Sequence, residues 1–251
     1  MKPENADRDG YSEIADRYDR FYEEDPKILA FFKDLVDRHQ IRSVLDCACG
    51  TGRELLIFHS LGCDVTGSDI SPSMLTLAKK HLAQADVGVP LHQTDYRELH
   101  EKFTESFDAV LVWSGAIFHV SDDDDSLQAF SSMRQVLAPN GILVMAQGMT
   151  DRRLREKRRF VLNRSTPGAT RVYVIDFLGE RDWQYNTLDI THDGGKHKME
   201  IWSTDAHFLL QEDQDRLLRE AGFSRVDFYG SYDFAPYDKT SSLRLITIAH
   251  K

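Results

Sequence analysis

Short apolar segments alternate with segments of helical character from residue 41 to residue 147. The short segments have the length of strands, and the segments between them carry apolar residues at helical spacing, helix caps or a closing glycine. Such alternation predicts βαβ units, whose strands are parallel and whose helices cover the sheet. The sequence therefore predicts an α/β fold with a doubly wound, mostly parallel sheet. Its first five strands are predicted in RSVLDC, CDVTGSD, VGVPLHQTD, FDAVLVWS and GILVMAQ.

The sequence changes character after residue 150. RVYVIDFL, QYNTLDIT and KMEIWST are separated by glycine-containing turns and predict antiparallel strands. A helix in EDQDRLLREAGF leads to two last strands, in FSRVDFYG and LRLITIAHK, which bring the main sheet to seven strands. We interpret residues 1–251 as a single domain in which residues 150–208 form an antiparallel insertion. Residues 10–40 are predicted to be N-terminal helices with a break near Asp25, because Pro26 suits a first helical turn.

Composition limits the partners and the compartment. The chain has 31 Lys and Arg against 41 Asp and Glu, so its formal net charge is −10. This charge argues against nucleic acid and anionic membranes as partners, because both present phosphate groups. No segment approaches the ~20 apolar residues of a membrane span, and the polar N-terminus lacks the features of a signal peptide. With only three cysteines, the sequence predicts a soluble, cytoplasmic protein.

The strongest local signal is the loop VLDCACGTG, residues 44–52, which follows the first strand and opens a helix. Its small residues allow the backbone to turn sharply and to lie against a ligand. Open α/β sheets bind ligands at this edge, between strand ends and helix N-termini. Cys47 and Cys49 lack the second pair that zinc requires, so they are interpreted as packing residues and no metal site is predicted.

Acidic residues follow three successive strands: Asp46, then Asp69, then Asp95 with Tyr96 beside it. A carboxylate after the second strand can accept both hydroxyls of a ribose, and Asp95 can accept a hydrogen bond from an adenine amino group. The loop, however, is D-x-A-x-G-x-G rather than the G-x-G-x-x-G of dinucleotide sites. Asp46 would also repel a pyrophosphate and attract an ammonium group. These details disfavour an NAD-dependent oxidoreductase.

Residues 41–147 resemble the class I S-adenosylmethionine-dependent methyltransferases, through this loop and these acids. The resemblance implies a Rossmann-like methyltransferase fold, S-adenosyl-L-methionine as the cofactor and S-adenosyl-L-homocysteine as the product. It implies that Asp46, Ala48, Gly50 and Gly52 line the methionine part of the cofactor. Asp69 is then expected to hold the ribose. Ala48 departs from the commoner glycine, but alanine is also small.

The same resemblance assigns the adenine and sulfonium ends of the cofactor. Ile70 and Met74 are expected to flank the adenine, and Asp95 and Tyr96 to cap its edge. Trp113 ends the fourth strand and is expected beside the sulfonium.

The segments SDISPSML and IFHV, the insertion and the near-terminal FAPY are more specifically similar to glycine and sarcosine N-methyltransferase-like proteins. This similarity implies methyl transfer to an amine nitrogen of a small polar molecule. It implies that residues 10–40 form a lid and that residues 150–208 lie on the substrate side. Two departures count against glycine itself as the acceptor: YEEDPK offers no arginine for the cofactor carboxylate, and Gly115 stands where asparagine is usual.

Candidate catalytic residues are Tyr18, Tyr22 and His119. Methyl transfer depends mainly on orientation and on the exclusion of water, with a base as proton acceptor. Tyr18 and Tyr22 are four residues apart and share one helix face. Half-buried packing explains both tyrosines equally well, and a structural histidine is the simpler explanation of His119. A carboxylate-bearing acceptor would require an arginine, for which the candidates are Arg164, Arg171 and Arg244.

Three functions remain open at this level. The favoured one is an N-methyltransferase, the second is an O-methyltransferase acting on a carboxylate or hydroxyl of a small metabolite, and the third is a non-catalytic cofactor-binding domain that regulates a partner. A monomer, a dimer and a tetramer all remain open. The basic cluster from Arg152 to Phe160 is interpreted as a solvated helix face, in preference to a site for an anionic substrate or RNA. The acidic run from Asp122 to Asp125 is interpreted as a helix cap.

Overall fold

The computed structural model describes residues 11, 14–21, 25–193 and 195–251, and two sheets are formed within these ranges. In chain order the strands are β1 (Ser43–Asp46), β2 (Asp64–Asp69), β3 (Leu91–Gln93), β4 (Phe107–Val112), β5 (Leu137–Gln147), β6 (Phe160–Ser165), β7 (Ala169–Phe177), β8 (Asp182–Asp193), β9 (Lys196–His207), β10 (Arg225–Tyr229) and β11 (Leu245–His250).

The main sheet has seven strands in the order β10-β11-β5-β4-β1-β2-β3. The pairs among β1 to β5 are parallel, whereas β11 is antiparallel to both β5 and β10. The second sheet has four antiparallel strands in the order β6-β7-β8-β9. The predicted mostly parallel, seven-stranded α/β sheet with antiparallel strands inserted after β5 is confirmed.

Helices cover both faces of the main sheet. Phe31 and Phe32 of the first long helix pack on one face with Leu55 and Phe58 of the second, while Phe130 packs on the other face. All five side chains are at most 1% exposed. Burying a phenylalanine stabilises the fold by roughly 1.5–3 kcal/mol. The α-helices are α1 (Pro26–His39), α2 (Arg53–Ser60), α3 (Pro72–Gln84), α4 (Leu99–Lys102), α5 (Asp123–Gln135), α6 (Asp151–Glu156) and α7 (Gln211–Glu220).

Capping residues set the starts of the helices as the sequence predicts. Ser71 Oγ accepts a hydrogen bond from the backbone of Met74, and Pro72 occupies the first turn of α3. Asp122 Oδ1 accepts from the backbone of Asp125, so the acidic run caps α5. Asp25 caps α1 in the same way, which places the chain break at the predicted residue.

Local structure differs from the prediction in three places. Ala15–Phe21 is a 3₁₀ helix rather than an α-helix. β5 begins at Leu137 and includes the predicted turn as an irregularity, because its pairing with β4 passes from Leu137 to Ile142 and Asn140 adopts a φ of 66°. The basic cluster is not one helix face: α6 ends at Glu156, Lys157 has a φ of 41°, and Phe160 starts the unpredicted strand β6.

Among the described residues, no helix has both the length and the apolar character needed to cross a membrane.

Candidate functional site

A cavity of about 390 Å³ opens at the carboxyl ends of β1, β2 and β4. This volume lies within the ~300–1,000 Å³ range of small-molecule sites. Its walls come from the loop after β1, the ends of β2 and β4, the N-terminal 3₁₀ segment and β9. The antiparallel sheet therefore contributes one wall of a cavity whose opposite wall belongs to the main sheet.

The loop after β1 presents its backbone to the cavity at Gly50. This residue has a φ of 52°, and a Cβ built on it would meet no atom within 4 Å, so the space above it is open to the cavity. Gly50 N donates to Asp69 Oδ2 at 2.8 Å, which joins the loop to the end of β2. A side chain here would therefore occupy ligand space as well as strain the backbone.

Asp69 is held rigidly at the cavity wall. While Oδ2 accepts from Gly50, Oδ1 accepts from the backbone of Ser71 at 2.9 Å. Two backbone donors thus fix the plane of the carboxylate before any ligand arrives. Ile70 and Met74 line the cavity beside it and supply apolar surface.

Asp46 and Gly52 do not line the cavity, although the sequence resemblance assigns them to it. Asp46 is 1% exposed, and its Oδ1 accepts from Ala48 N at 3.2 Å, so it shapes the loop from behind. Burial and the neighbouring Glu54 raise the pKa of Asp46 well above its ordinary value. Gly52 has a φ of 84° and its α-carbon faces Ala78, whose Cβ would lie 3.2 Å from an added side chain.

Glu54 is a cavity residue that sequence reasoning missed. It lies in the first turn of α2 and faces the cavity, and burial raises the pKa of its carboxyl. The available signal was its position two residues after Gly52. An acid there complements the helix dipole and also lies next to the ligand loop.

Asp95 lines the cavity as predicted but is already engaged. Its carboxylate accepts from Arg97 Nε at 3.0 Å and from Arg97 Nη2 at 2.6 Å. Arg97 also contacts Asp125 Oδ1 at 2.8 Å. The bidentate pair fixes the orientation of the Asp95 carboxylate at the cavity wall.

Tyr96 and Trp113 both line the cavity. Burial raises the pKa of Tyr96, whose hydroxyl lies 3.5 Å from the Ala116 carbonyl. Trp113 is 5% exposed and stacks on Phe31, with ring centroids 5.8 Å apart and planes inclined by 26°. The indole is thus held by packing at the cavity wall.

Tyr11, Tyr18 and His119 lie together on the side of the cavity formed by the N-terminal segment. Tyr11 Oη is 2.7 Å from His119 Nε2, and the Tyr11 and Tyr18 rings meet edge to face at 5.8 Å. Burial raises the pKa of Tyr18 to about 12. The His119 ring is open to the cavity but is otherwise enclosed by protein, and this desolvation lowers its pKa to about 4. All three groups are therefore neutral at pH 7.

Tyr11 was not predicted from the sequence, although its spacing of seven residues from Tyr18 would have placed both on one face of the helix predicted there. Tyr22 lies outside the described residues, and its catalytic role stays a prediction.

Asp19 attaches the N-terminal segment to the loop. Its Oδ1 accepts from Thr51 Oγ1 at 3.0 Å and from Arg53 Nε at 2.9 Å. Because Asp19 follows Tyr18 directly, these contacts also place Tyr18 at the cavity. The segment that carries the phenols is thus anchored to the residues that follow Gly50.

The described lining of the cavity has an excess of acid. Glu54, Asp69, Asp95 and Asp205 line it together with two arginines, and both arginines contact carboxylates. The three arginines considered for an acceptor carboxylate lie outside the lining: Arg164, Arg171 and Arg244.

Arg171 is instead part of a buried ion pair. It donates to Asp189 in a bidentate manner, at 2.6 and 2.8 Å, and packs over the Phe21 ring at 4.1 Å. The pair therefore supports the 3₁₀ segment from below.

Residues 44–141 match the family described as a methyltransferase domain. A glycine/sarcosine N-methyltransferase of Parasynechococcus marenigrum (strain WH8102) is 28% identical over 88% of this chain and 77% of its own length. A dTDP-3-amino-3,4,6-trideoxy-alpha-D-glucopyranose N,N-dimethyltransferase of Streptomyces venezuelae is 33% identical over 52% of this chain and 55% of that protein.

Among solved structures, an S-adenosylmethionine-dependent methyltransferase from Clostridium acetobutylicum ATCC 824 superposes with a TM-score of 0.80 at 17% identity. The alignment covers 96% of this chain and 97% of that one.

Proposed function

The chain is a class I S-adenosylmethionine-dependent methyltransferase, and from this premise we propose that it transfers the methyl group to an amine nitrogen of a small polar molecule. It is thus an enzyme, and a purely non-catalytic cofactor-binding role is set aside. The choice of nitrogen and the roles of individual residues are proposals that rest on the geometry of the cavity.

The lining supports S-adenosylmethionine as the ligand through the expected residues that reach it, although Asp46 and Gly52 do not. We assign the fixed Asp69 carboxylate to the ribose hydroxyls, and Ile70 and Met74 to the adenine faces. Asp95 is assigned to the adenine edge, and the open space above Gly50 to the methionine part. When bound, the cofactor supplies a methyl group on a positively charged sulfur that leaves readily.

We assign to Glu54 the electrostatic role that was predicted for Asp46. Glu54 lies in the cavity lining, where desolvation raises the pKa of its carboxyl and the neighbouring Arg53 only partly offsets that rise. A cationic ligand compensates the desolvation of such a carboxylate, whereas a pyrophosphate would increase it. Asp46 acts through Ala48, as a residue that sets the shape of the loop.

The observation that carries the proposal of nitrogen is the neutral, hydrogen-bonding wall formed by Tyr11, Tyr18 and His119 within an acidic lining. Acidic residues attract an amine, which is cationic in water. The amine must lose its proton to become a nucleophile. A neutral imidazole and neutral phenols orient the resulting lone pair without competing for charge.

The residues of this chain do the remaining work by orientation. His119 accepts or donates a hydrogen bond through Nε2 according to its tautomer, and Tyr11 fixes its ring at 2.7 Å. Because desolvation lowers the pKa of His119 to about 4, we assign it a positioning role, and the amine proton is lost to water. Tyr18 covers the site and excludes solvent.

Two relatives named as N-methyltransferases support nitrogen as the acceptor atom. Glycine is a weaker candidate than other amines. The only buried arginine considered for its carboxylate, Arg171, is already bidentate with Asp189.

The test is a comparison of matched acceptors. Release of S-adenosylhomocysteine is measured with small amines, including glycine, sarcosine and an amino sugar, and with the hydroxyl analogue of each. A donor carrying a ¹³C methyl group lets NMR separate N-methyl from O-methyl products. Transfer to amines but not to their hydroxyl analogues is expected. Transfer to a hydroxyl or carboxylate in preference to the amine would replace the proposal with an O-methyltransferase.

A further inference from the structure

The four-stranded antiparallel sheet has two chemically different faces. Residues paired across antiparallel strands project to the same side of a sheet. On the inner side, Ile175 and Trp183 pack with Phe208 in a buried cluster between the sheet and the rest of the molecule. The outer side faces away from that cluster.

The outer side carries an unbroken apolar row. Leu162, Val172, Leu188 and Ile201 are register partners across all four strands. Neighbouring rows on the same side add further apolar residues, because side chains two positions apart along a strand share a face. These residues are Phe160 with Val174, and Ile190 with Met199. We call this set the outer face.

The outer face concentrates exposed apolar side chains in one patch. Phe160 is 68% exposed, Leu162 64%, Met199 61% and Ile201 69%. Together these four side chains leave on the order of 500 Å² of apolar surface in contact with water, which is as large as the largest patch of a typical monomer. A face of this kind is typical of an interface.

The sequence of the segments outside the described residues offers little apolar material for a cover. The segments that the structure does not describe are residues 1–10, 12–13, 22–24 and 194. The first of these, MKPENADRDG, is polar and acidic, with Met1 as its only large apolar side chain. It cannot match four exposed aliphatic and aromatic residues.

We propose that a second copy of this chain packs on the outer face, sheet against sheet. Two twisted sheets pack about 10 Å apart with their strands inclined by about 30°, and each must be apolar on one side. Doubling the exposed area gives roughly 1,000 Å² before the partly buried valines and the rim are included, which approaches the ~1,200 Å² of stable interfaces. A lipid surface fits poorly, because the chain carries a net charge of −10.

The rim of the outer face carries both signs of charge. Arg159 and Asp176 form an ion pair of 2.7 Å beside Phe160 and Val174, and their side chains are 60% and 40% exposed. In a two-fold dimer each subunit presents this pair at its rim, so both subunits offer both signs of charge there. The same side of β9 continues from Ile201 to Ser203 and Asp205, which line the cavity. The interface therefore borders the cavity without containing it.

The first test is the mass in solution of the full chain. Sedimentation velocity between 1 and 100 µM is expected to show twice the 28.8 kDa of one chain. Ile201→Glu and Leu162→Glu are expected to be monomeric at 10 µM, with thermal unfolding that stays cooperative and unchanged S-adenosylhomocysteine binding. Leu243→Glu is the matched control, because Leu243 is 58% exposed but lies outside the sheet, and it is expected to remain dimeric.

A second measurement does not depend on breaking the interface. The native cysteines are all buried, so Met199→Cys introduces one accessible thiol. A short bis-maleimide is expected to link two copies of this variant but not of Leu243→Cys. A monomeric wild type at 100 µM, a dimer that survives both glutamate variants, or cross-linking of Leu243→Cys alone would overturn the proposal. Co-sedimentation of a monomeric wild type with phosphatidylcholine vesicles would overturn it in favour of a lipid surface.

Discussion

Replacing Asp69 by alanine should weaken cofactor binding more than any other single change in the cavity wall. The carboxylate is fixed by Gly50 N at 2.8 Å and Ser71 N at 2.9 Å, so it meets a ligand without reorganisation. Two charged hydrogen bonds to ribose hydroxyls contribute roughly 1.5–3 kcal/mol each. Their loss corresponds to about 3–6 kcal/mol, or a 10²- to 10⁴-fold rise in Kd.

Calorimetric titration with S-adenosylmethionine and S-adenosylhomocysteine measures this change. Asp64→Ala is the matched control, because Asp64 is an exposed residue at the other end of β2. This variant should bind both compounds with wild-type affinity. The wild type should bind an analogue that lacks the 2′-hydroxyl more weakly than the intact compound. Asp69→Ala should bind the analogue and the intact compound equally.

This second comparison separates contact from shape, since Asp69→Ala also removes the bonds to Gly50 and Ser71. An Asp69→Ala protein that binds within threefold of the wild type would refute the assignment of Asp69 to the ribose. Equal losses for the deoxy analogue in both proteins would show that Asp69 acts only on the loop.

Three further outcomes are expected. Burial holds the pKa of His119 at about 4 against an ordinary 6.5, so the folded state favours the neutral ring. Stability should therefore fall as the pH drops below 6.5 and level off near 4, and thermal unfolding of His119→Gln should lack this component. Asp189→Asn breaks a buried bidentate pair with Arg171 and should cost about 3–5 kcal/mol in denaturant unfolding, and a loss below 1 kcal/mol would contradict the burial of the pair. Gly52→Ala forces a side chain to a φ of 84° within 3.2 Å of Ala78 and should cost on the order of 1–3 kcal/mol, with unchanged stability as the contrary result.

The parts of the fold that were predictable carry their signals locally. β1, α2, β2 and α3 follow one another with caps and closing glycines that act within a few residues, such as Ser71 at the start of α3. β6 gave no such signal, because its apolar residues Phe160 and Leu162 project outward and follow a run of arginines. Its pairing with β7 depends on residues distant in sequence and could not be read from the strand itself.

Some residues of the candidate site could likewise be placed from the sequence, and others could not. Asp69 could be placed from the sequence, because the end of a parallel strand always lies at the ligand edge of the sheet. The side on which Asp46 projects could not, since this depends on how Ala48 N turns back to its carboxylate. The contact of Tyr11 with His119 joins residues 108 positions apart and has no local signature.

The crowding of Asp46, Glu54 and Asp69 around one loop is costly in the protein alone. Burial raises the pKa of Asp46 and of Glu54, and each carboxylate adds to the effect on Asp46. A ligand with positive charge lowers that cost, so these acids favour S-adenosylmethionine over its uncharged-sulfur product through charge alone. Transfer of the methyl group removes that advantage, and the same residues that attract the donor then cease to hold the product as tightly. The acidic residues therefore assist turnover as well as binding. The Kd of S-adenosylhomocysteine divided by the Kd of S-adenosylmethionine should be smaller in Glu54→Gln than in the wild type.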